Sequence, residues 1–294
     1  MEAIDSHVHV WKVDPERYPW APGARGADAD ATVEMLWERT APLGVVGAVL
    51  VQVIYYGWDN RYVAECLRAY PGRTAGVCLV DPCDPAAPDR LEYWVREHGF
   101  EGLRLSPYRD RQSTWLADPA TWPLWERAAT LGVTISVLAY QEQLRQLDSV
   151  VRAFPTVPVI IDHMGWPSLA DPDPIGPLLA LAERPNVSVK VTSPWVIARE
   201  PYPYPSAWPV IERVVRTFGP ERCLAGTDWP MVEKQCGYDR ALALYRREWE
   251  FLTDTDRAWL LRGTVLRLYP RSFAPLAASG GASDPPLQPP RALL

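Results

Sequence analysis

Histidine, lysine and cysteine are all scarce in this 294-residue chain, with four, three and five copies, and each scarcity narrows what the protein can be. The cysteines, Cys66, Cys78, Cys83, Cys223 and Cys236, are odd in number and never form a CxxC pair, which argues against a disulfide framework and a thiolate zinc site. They read as reduced thiols, mostly buried. Basic runs are absent and the net charge is -6, so neither nucleic acid nor an anionic membrane is expected as the main partner. The longest apolar run, Val45 to Tyr56, is interrupted by Gln52 and falls short of the roughly 20 residues a membrane span needs. No leader of charged, apolar and then small residues precedes the first strand pattern. The expectation is a soluble, cytoplasmic protein that acts on a small molecule, with a homodimer as an open assembly.

What is present is a regular alternation. Hydrophobic residues make up 48% of the chain, enough for a large buried core. Short apolar runs bounded by turn residues begin with "AIDSHVHVW" and recur at Val45 to Ile54, Thr74 to Val80, Gly102 to Leu105, Val133 to Leu138, Val157 to Ile161, Val187 to Val191 and Cys223 to Ala225. Segments of helical period lie between them, among them Val33 to Thr40, "APDRLEYWVREHG" and "SAWPVIERVVRTFG", and several close on Gly, a common helix-ending residue. A final helical region spans roughly Asp239 to Leu268. Eight β units each followed by α predict a single (β/α)8 TIM barrel over residues 1–275. An open doubly wound sheet would usually carry a Gly-rich turn after the first strand, and no GxGxxG stands there. The stretch 276–294 is rich in Gly, Ser and Pro and reads as a flexible tail or a covering strap.

Three of the four histidines fall on strand ends. Alternation puts Asp5, His7 and His9 on one strand face, and in a barrel that polar face looks inward, toward the C-terminal mouth where barrel enzymes carry their sites. His163 ends the sixth strand and Asp228 the eighth. His98 precedes a helix-ending Gly and reads as structural. Imidazoles plus a carboxylate are ligands suited to one divalent metal, zinc first, which would leave Asp228 to take a proton from water. The same four residues also suit metal-free catalysis, in which the imidazoles hydrogen-bond a carbonyl oxygen as it gains charge. Gln52, Arg104 and Lys190 interrupt strands two, four and seven and are candidate substrate-binding residues. A cation pointing into a barrel requires a partner: either a substrate anion or an internal carboxylate such as Asp5. Trp166, Trp195 and Trp229 follow strands six to eight, and Trp11, Tyr55, Tyr56 and Trp58 follow strands one and two. They either pack on one another or line a site for a planar, apolar ligand.

The motifs "IDSHVHVW", "GRTAGVCLVDP", "FEGLRLS", "VIIDHMGWP", "VSVKVTS" and "RCLAGTDWP", in this order, resemble the amidohydrolase superfamily, in the branch of the 2-pyrone-4,6-dicarboxylate and sugar-acid lactonases. The resemblance runs over nearly all of residues 3–270. It implies His7, His9 and His163 as site histidines, Asp228 as general base and, where metal is present, as ligand, and Arg104 as the group facing a substrate carboxylate or carbonyl. Strand five, "VTISVLAY", lacks the histidine that firmly metallated and decarboxylating members usually keep, and strand four offers arginine where a metal ligand could stand. Both departures exclude a two-metal centre and favour hydrolysis of a lactone or similar cyclic ester. A decarboxylase or lyase acting on an aromatic or polyketide-like acid, and a non-catalytic binding barrel, are the alternatives.

Overall fold

A computed structural model describes residues 1–279. Its eight strands are β1 Ala3–Val8, β2 Val45–Val51, β3 Thr74–Cys78, β4 Gly102–Leu105, β5 Thr134–Val137, β6 Val159–Ile161, β7 Val187–Lys190 and β8 Cys223–Leu224. Each is parallel to, and hydrogen-bonded with, the next in chain order. This is the (β/α)8 barrel expected from the alternation.

Two apolar layers hold it. Inside the barrel, Ile4, Val49, Val51, Ala75, Val77, Ile160 and Leu224 pack together, and Tyr269 and Phe273 join them. The alternate residues, such as Ala48, Leu50, Leu103, Leu105, Val159, Ile161 and Val189, face the helices, so both strand faces are buried as a parallel sheet requires. The helices contribute single stripes: in the helix Trp208–Phe218, the buried residues are Ile211, Val214, Val215 and Phe218, at the i, i+3, i+4, i+7 spacing of one helical face. Gly99 and Gly132 close their helices in the left-handed conformation. Gly219 also has positive φ, but its ψ of 142° makes it an extended exit instead.

The final helical region is not one piece. It runs as a helix over Tyr238–Ala243, a π-helical turn over Leu244–Glu248, a helix over Asp254–Ala258, a second π turn and a helix over Thr264–Leu268. A new helix starts at Asp254 because Thr253 and Asp256 cap each other's backbone N–H groups, a signal that apolar periodicity alone hides. In the predicted tail, residues Leu276 to Ala278 finish a short helix, Ala274–Ala278; the rest of that expectation, from residue 280 on, lies outside the described residues. No helix among the described residues is long and apolar enough to cross a membrane.

The seam between β8 and β1 shapes the site. Val8 meets Trp229 in an isolated bridge, and single hydrogen bonds run from the Ser6 N–H to Ala225, from the Asp228 N–H to His7 and from the His9 N–H to Trp229, at 3.1, 2.8 and 2.7 Å. The two segments come so close that a Cβ on Gly226 would stand 3.0 Å from the His7 nitrogen.

Candidate active site

The β1 register shifts relative to β2 between Ala3 and Ile4 and again between Asp5 and Val8. These shifts overturn the simple alternation. Ile4 lies in the inner layer, whereas Asp5 leaves the barrel lumen and accepts hydrogen bonds from the Thr227 hydroxyl, the Tyr238 hydroxyl and the backbone N–H groups of His7 and Thr227. Asp5 therefore does not share the histidines' face. It is tied to the β8 side of the seam, next to Asp228.

His7 and His9 remain together at the mouth, their Nε2 atoms 3.2 Å apart. Asp228 Oδ1 lies 3.5 Å from His9 Nε2 and 3.9 Å from His7 Nε2. Ligands held about 2.0–2.1 Å from a tetrahedral zinc stand roughly 3.3 Å from one another, so these three side chains are spaced to hold one divalent cation. His163, expected as a further ligand, stands outside that group. Its residue, like Met164 and Trp166, takes positive φ after β6, which turns the ring against His7, with centroids 4.6 Å apart, and brings Nδ1 to 2.7 Å from the Thr192 hydroxyl.

Neither inward cation pairs with Asp5. Arg104 Nε donates to Asp162 Oδ2 at 2.9 Å, and Lys190 Nζ lies 3.0 Å from Asp162 Oδ1. Lys190 also sits 2.9 Å from His7 Nδ1. Burial opposes the Asp162 charge, but the Lys190 and Arg104 cations outweigh it and hold this carboxyl well below the ordinary range. Burial, reinforced by Lys190, drives His7 far down and keeps it neutral; burial and Arg104 push His9 to about 3, and burial brings His163 to about 3.

Asp228 behaves oppositely. Burial raises its carboxyl from 3.8 to about 7, against the pull of Arg104 and a 3.3 Å hydrogen bond from the Ser193 hydroxyl. Its backbone φ is +59°, an uncommon conformation for a residue other than glycine and one often held at functional sites. A carboxyl poised near neutrality beside neutral imidazoles suits general-base work on water.

A family model described as Amidohydrolase matches residues 4–271. The chain belongs to the amidohydrolase family. It is 29% identical over 240 residues to a 2-pyrone-4,6-dicarboxylate hydrolase of Comamonas testosteroni, covering 78% of this chain and 76% of that protein. It is 26% identical over 235 residues to an L-fucono-1,5-lactonase of Burkholderia ambifaria, covering 78% and 80%. Among solved structures, a zinc-bound amidohydrolase of Burkholderia multivorans superposes with a TM-score of 0.73 at 23% identity, over 92% of this chain and 99% of that one.

Several expected contacts of this amidohydrolase are placed elsewhere. Gln52 is fully buried and donates to the Asp59 carbonyl. The Tyr56 hydroxyl bonds both backbone groups of Lys12, and its ring stacks on Trp20 at 4.7 Å. Trp229 belongs to the core under the helices, and Trp195 leans on Tyr204. Trp11 meets Tyr55 edge-on at 5.7 Å. Of the proposed aromatic lining, Trp166 stays with the site, its ring 5.3 Å from His163, and Trp58 lines a cavity beside Arg104. His98 bonds Tyr93 on the outer surface.

Three polar residues at this centre went unread in the amidohydrolase sequence: Asp162, Thr192 and Ser193. Two polar residues in a row closing the apolar run "VIIDH" were the available signal for Asp162, since it shares the inward face with Ile160. The hydroxyl pair in "KVTSP" was the signal for the other two.

Proposed function

We propose that this amidohydrolase opens a lactone or similar cyclic ester by attack of water, with Asp228 as the base. The observation that carries the reading is the Asp228 carboxyl, raised to about 7 and 3.5 Å from His9 Nε2. Near neutral pH such a group exists in both protonation states, so it can take the proton of an attacking water and return it to the departing alkoxide. His7, His9 and Asp228 would hold a divalent cation, zinc being the ion seen in the B. multivorans relative, and it would polarise the ester carbonyl and acidify water. Without the cation, a ring N–H of His7 would turn from His9 to the carbonyl oxygen as charge develops on it. The names of the C. testosteroni and B. ambifaria relatives support ring opening of a cyclic ester.

The substrate class follows from the cavity at the mouths of β2 to β4. It measures about 100 Å3 and is lined by Trp58, Leu79, Leu105 and Trp115 with Arg104 and Arg109. That volume admits one substituent and not a whole ring system, and two guanidinium groups among apolar walls suit a carboxylate on a flat ring. We therefore favour an unsaturated or aromatic lactone carrying an acid group over a polyhydroxylated sugar lactone.

The test is a lactone panel followed by titration of released acid, with zinc added or chelated. Fast turnover of carboxylated unsaturated lactones and slow turnover of sugar lactones is expected. Rapid sugar-lactone opening with no aromatic turnover would overturn the substrate class, and carbon dioxide release without ring opening would overturn hydrolysis in favour of a decarboxylase.

A further inference from the structure

We propose that Lys190 is a positioning residue that locks His7 in the tautomer bearing its hydrogen on Nε2, and thereby weakens cation binding by His7, His9 and Asp228. The argument follows hydrogen atoms through the buried centre. An ammonium group has three donors and no acceptor. Lys190 Nζ is fully buried between two partners, Asp162 Oδ1 at 3.0 Å and His7 Nδ1 at 2.9 Å. As a donor to both, it requires His7 Nδ1 to accept.

The other end of the chain is equally constrained. His9 Nδ1 lies 2.7 Å from the Val51 carbonyl oxygen, which can only accept, so His9 carries its hydrogen on Nδ1 and presents a lone pair on Nε2. His7 Nε2 faces that lone pair at 3.2 Å. One arrangement satisfies every contact: Lys190 donates to His7, His7 donates to His9, and His9 donates to Val51.

A histidine that binds a cation through Nε2 must move its hydrogen to Nδ1, and such ligands almost always give that hydrogen to a carboxylate, a carbonyl or water. Here the Nδ1 partner is itself a donor. The Asp162 carboxylate is 3.6 Å from His7 Nδ1, beyond hydrogen-bond distance, and already engaged by Lys190 and Arg104. His9 has the arrangement that favours ligation and His7 has the one that opposes it. A substrate carbonyl would have to compete with His9 for this hydrogen.

The inference rests on His7, His9 and Asp228 being the reacting centre, but its readouts involve no lactone, so it stands or falls separately from the substrate reading. Nitrogen-15 correlation spectra of the full-length protein prepared without metal are expected to show His7 with a protonated Nε2 and a bare Nδ1. Zinc affinity, measured against a chromophoric chelator, is expected to rise at least tenfold in Lys190→Gln, whose carbonyl can accept from Nδ1, and in Lys190→Met, and to stay weak in Lys190→Arg, which keeps a donor. A wild-type His7 protonated on Nδ1 would overturn the proposal, as would equal zinc affinity across folded variants. The spectrum of the wild type decides the matter even if a substitution at this buried position prevents folding.

Discussion

The Asp5 carboxylate accepts a hydrogen bond from the Thr227 backbone N–H at 3.0 Å and another from the Thr227 hydroxyl at 2.5 Å. This pair replaces part of a strand ladder. Among the described residues β8 and β1 share one isolated bridge, and Asp5 spans the gap immediately before Asp228. Asp5→Ala leaves two buried N–H groups without acceptors, a loss of about 3 kcal/mol, whereas Asp5→Asn keeps an acceptor and costs about 1 kcal/mol. Thermal unfolding followed by circular dichroism should rank the alanine variant well below the asparagine one. Identical melting temperatures would show that the seam does not depend on this carboxylate.

Activity should follow the Asp228 titration. In the cation-free enzyme kcat/KM is expected to climb with pH through about 7 and to level off above it. A cation bound beside the carboxylate favours its charged form, so saturating zinc should move this limb at least one pH unit lower. A profile that is flat between pH 5 and 9 in both states would exclude Asp228 as the base.

The same group makes stability depend on pH in a defined direction. A carboxyl whose folded value, about 7, exceeds its ordinary 3.8 holds its proton more tightly in the folded protein. That contribution is complete below pH 3.8 and is lost as the pH rises through 7. Asp228→Asn lacks the titration, so relative to wild type it should gain about 2–3 kcal/mol between pH 5 and pH 8. Denaturant midpoints at the two pH values measure this, and a gain on acidification would contradict the assignment.

Asp162 should be the least replaceable carboxylate of the molecule. Asp162→Asn leaves Lys190 and Arg104 buried with no counter-charge, a change that costs about 3–5 kcal/mol. Urea unfolding should show a loss larger than that of Asp5→Ala, even though asparagine is nearly isosteric. A loss under about 1 kcal/mol would mean that the two cations do not depend on this residue.

Arg109 offers a probe of the substrate pocket free of such coupling, since it is exposed and lines the cavity beside Arg104. Arg109→Ala is expected to raise KM for a carboxylated lactone about tenfold while leaving kcat, the melting temperature and the KM for an uncharged lactone unchanged. Equal effects on both lactones would place the acid group elsewhere.

The local pattern determined the elements. Apolar runs between turn residues mark β2 to β8 to within a few residues, because strand burial on both faces leaves an uninterrupted apolar trace in the chain. His7, His9 and Asp228 were legible for the related reason that polar side chains at strand ends stand out against such runs. Their partners were not. Asp5 was assigned to the wrong face because a register shift against β2 is invisible in β1 alone, and Tyr56 and Gln52 looked like site residues until the loop beyond β2 folded onto them. The joining of Lys190 to His7 across 183 positions, and of Arg104 to Asp162 across 58, depends on barrel closure. Strand alternation decides which residues point inward; only the assembled barrel decides which inward groups meet, and therefore which hydrogens and charges the site can hold.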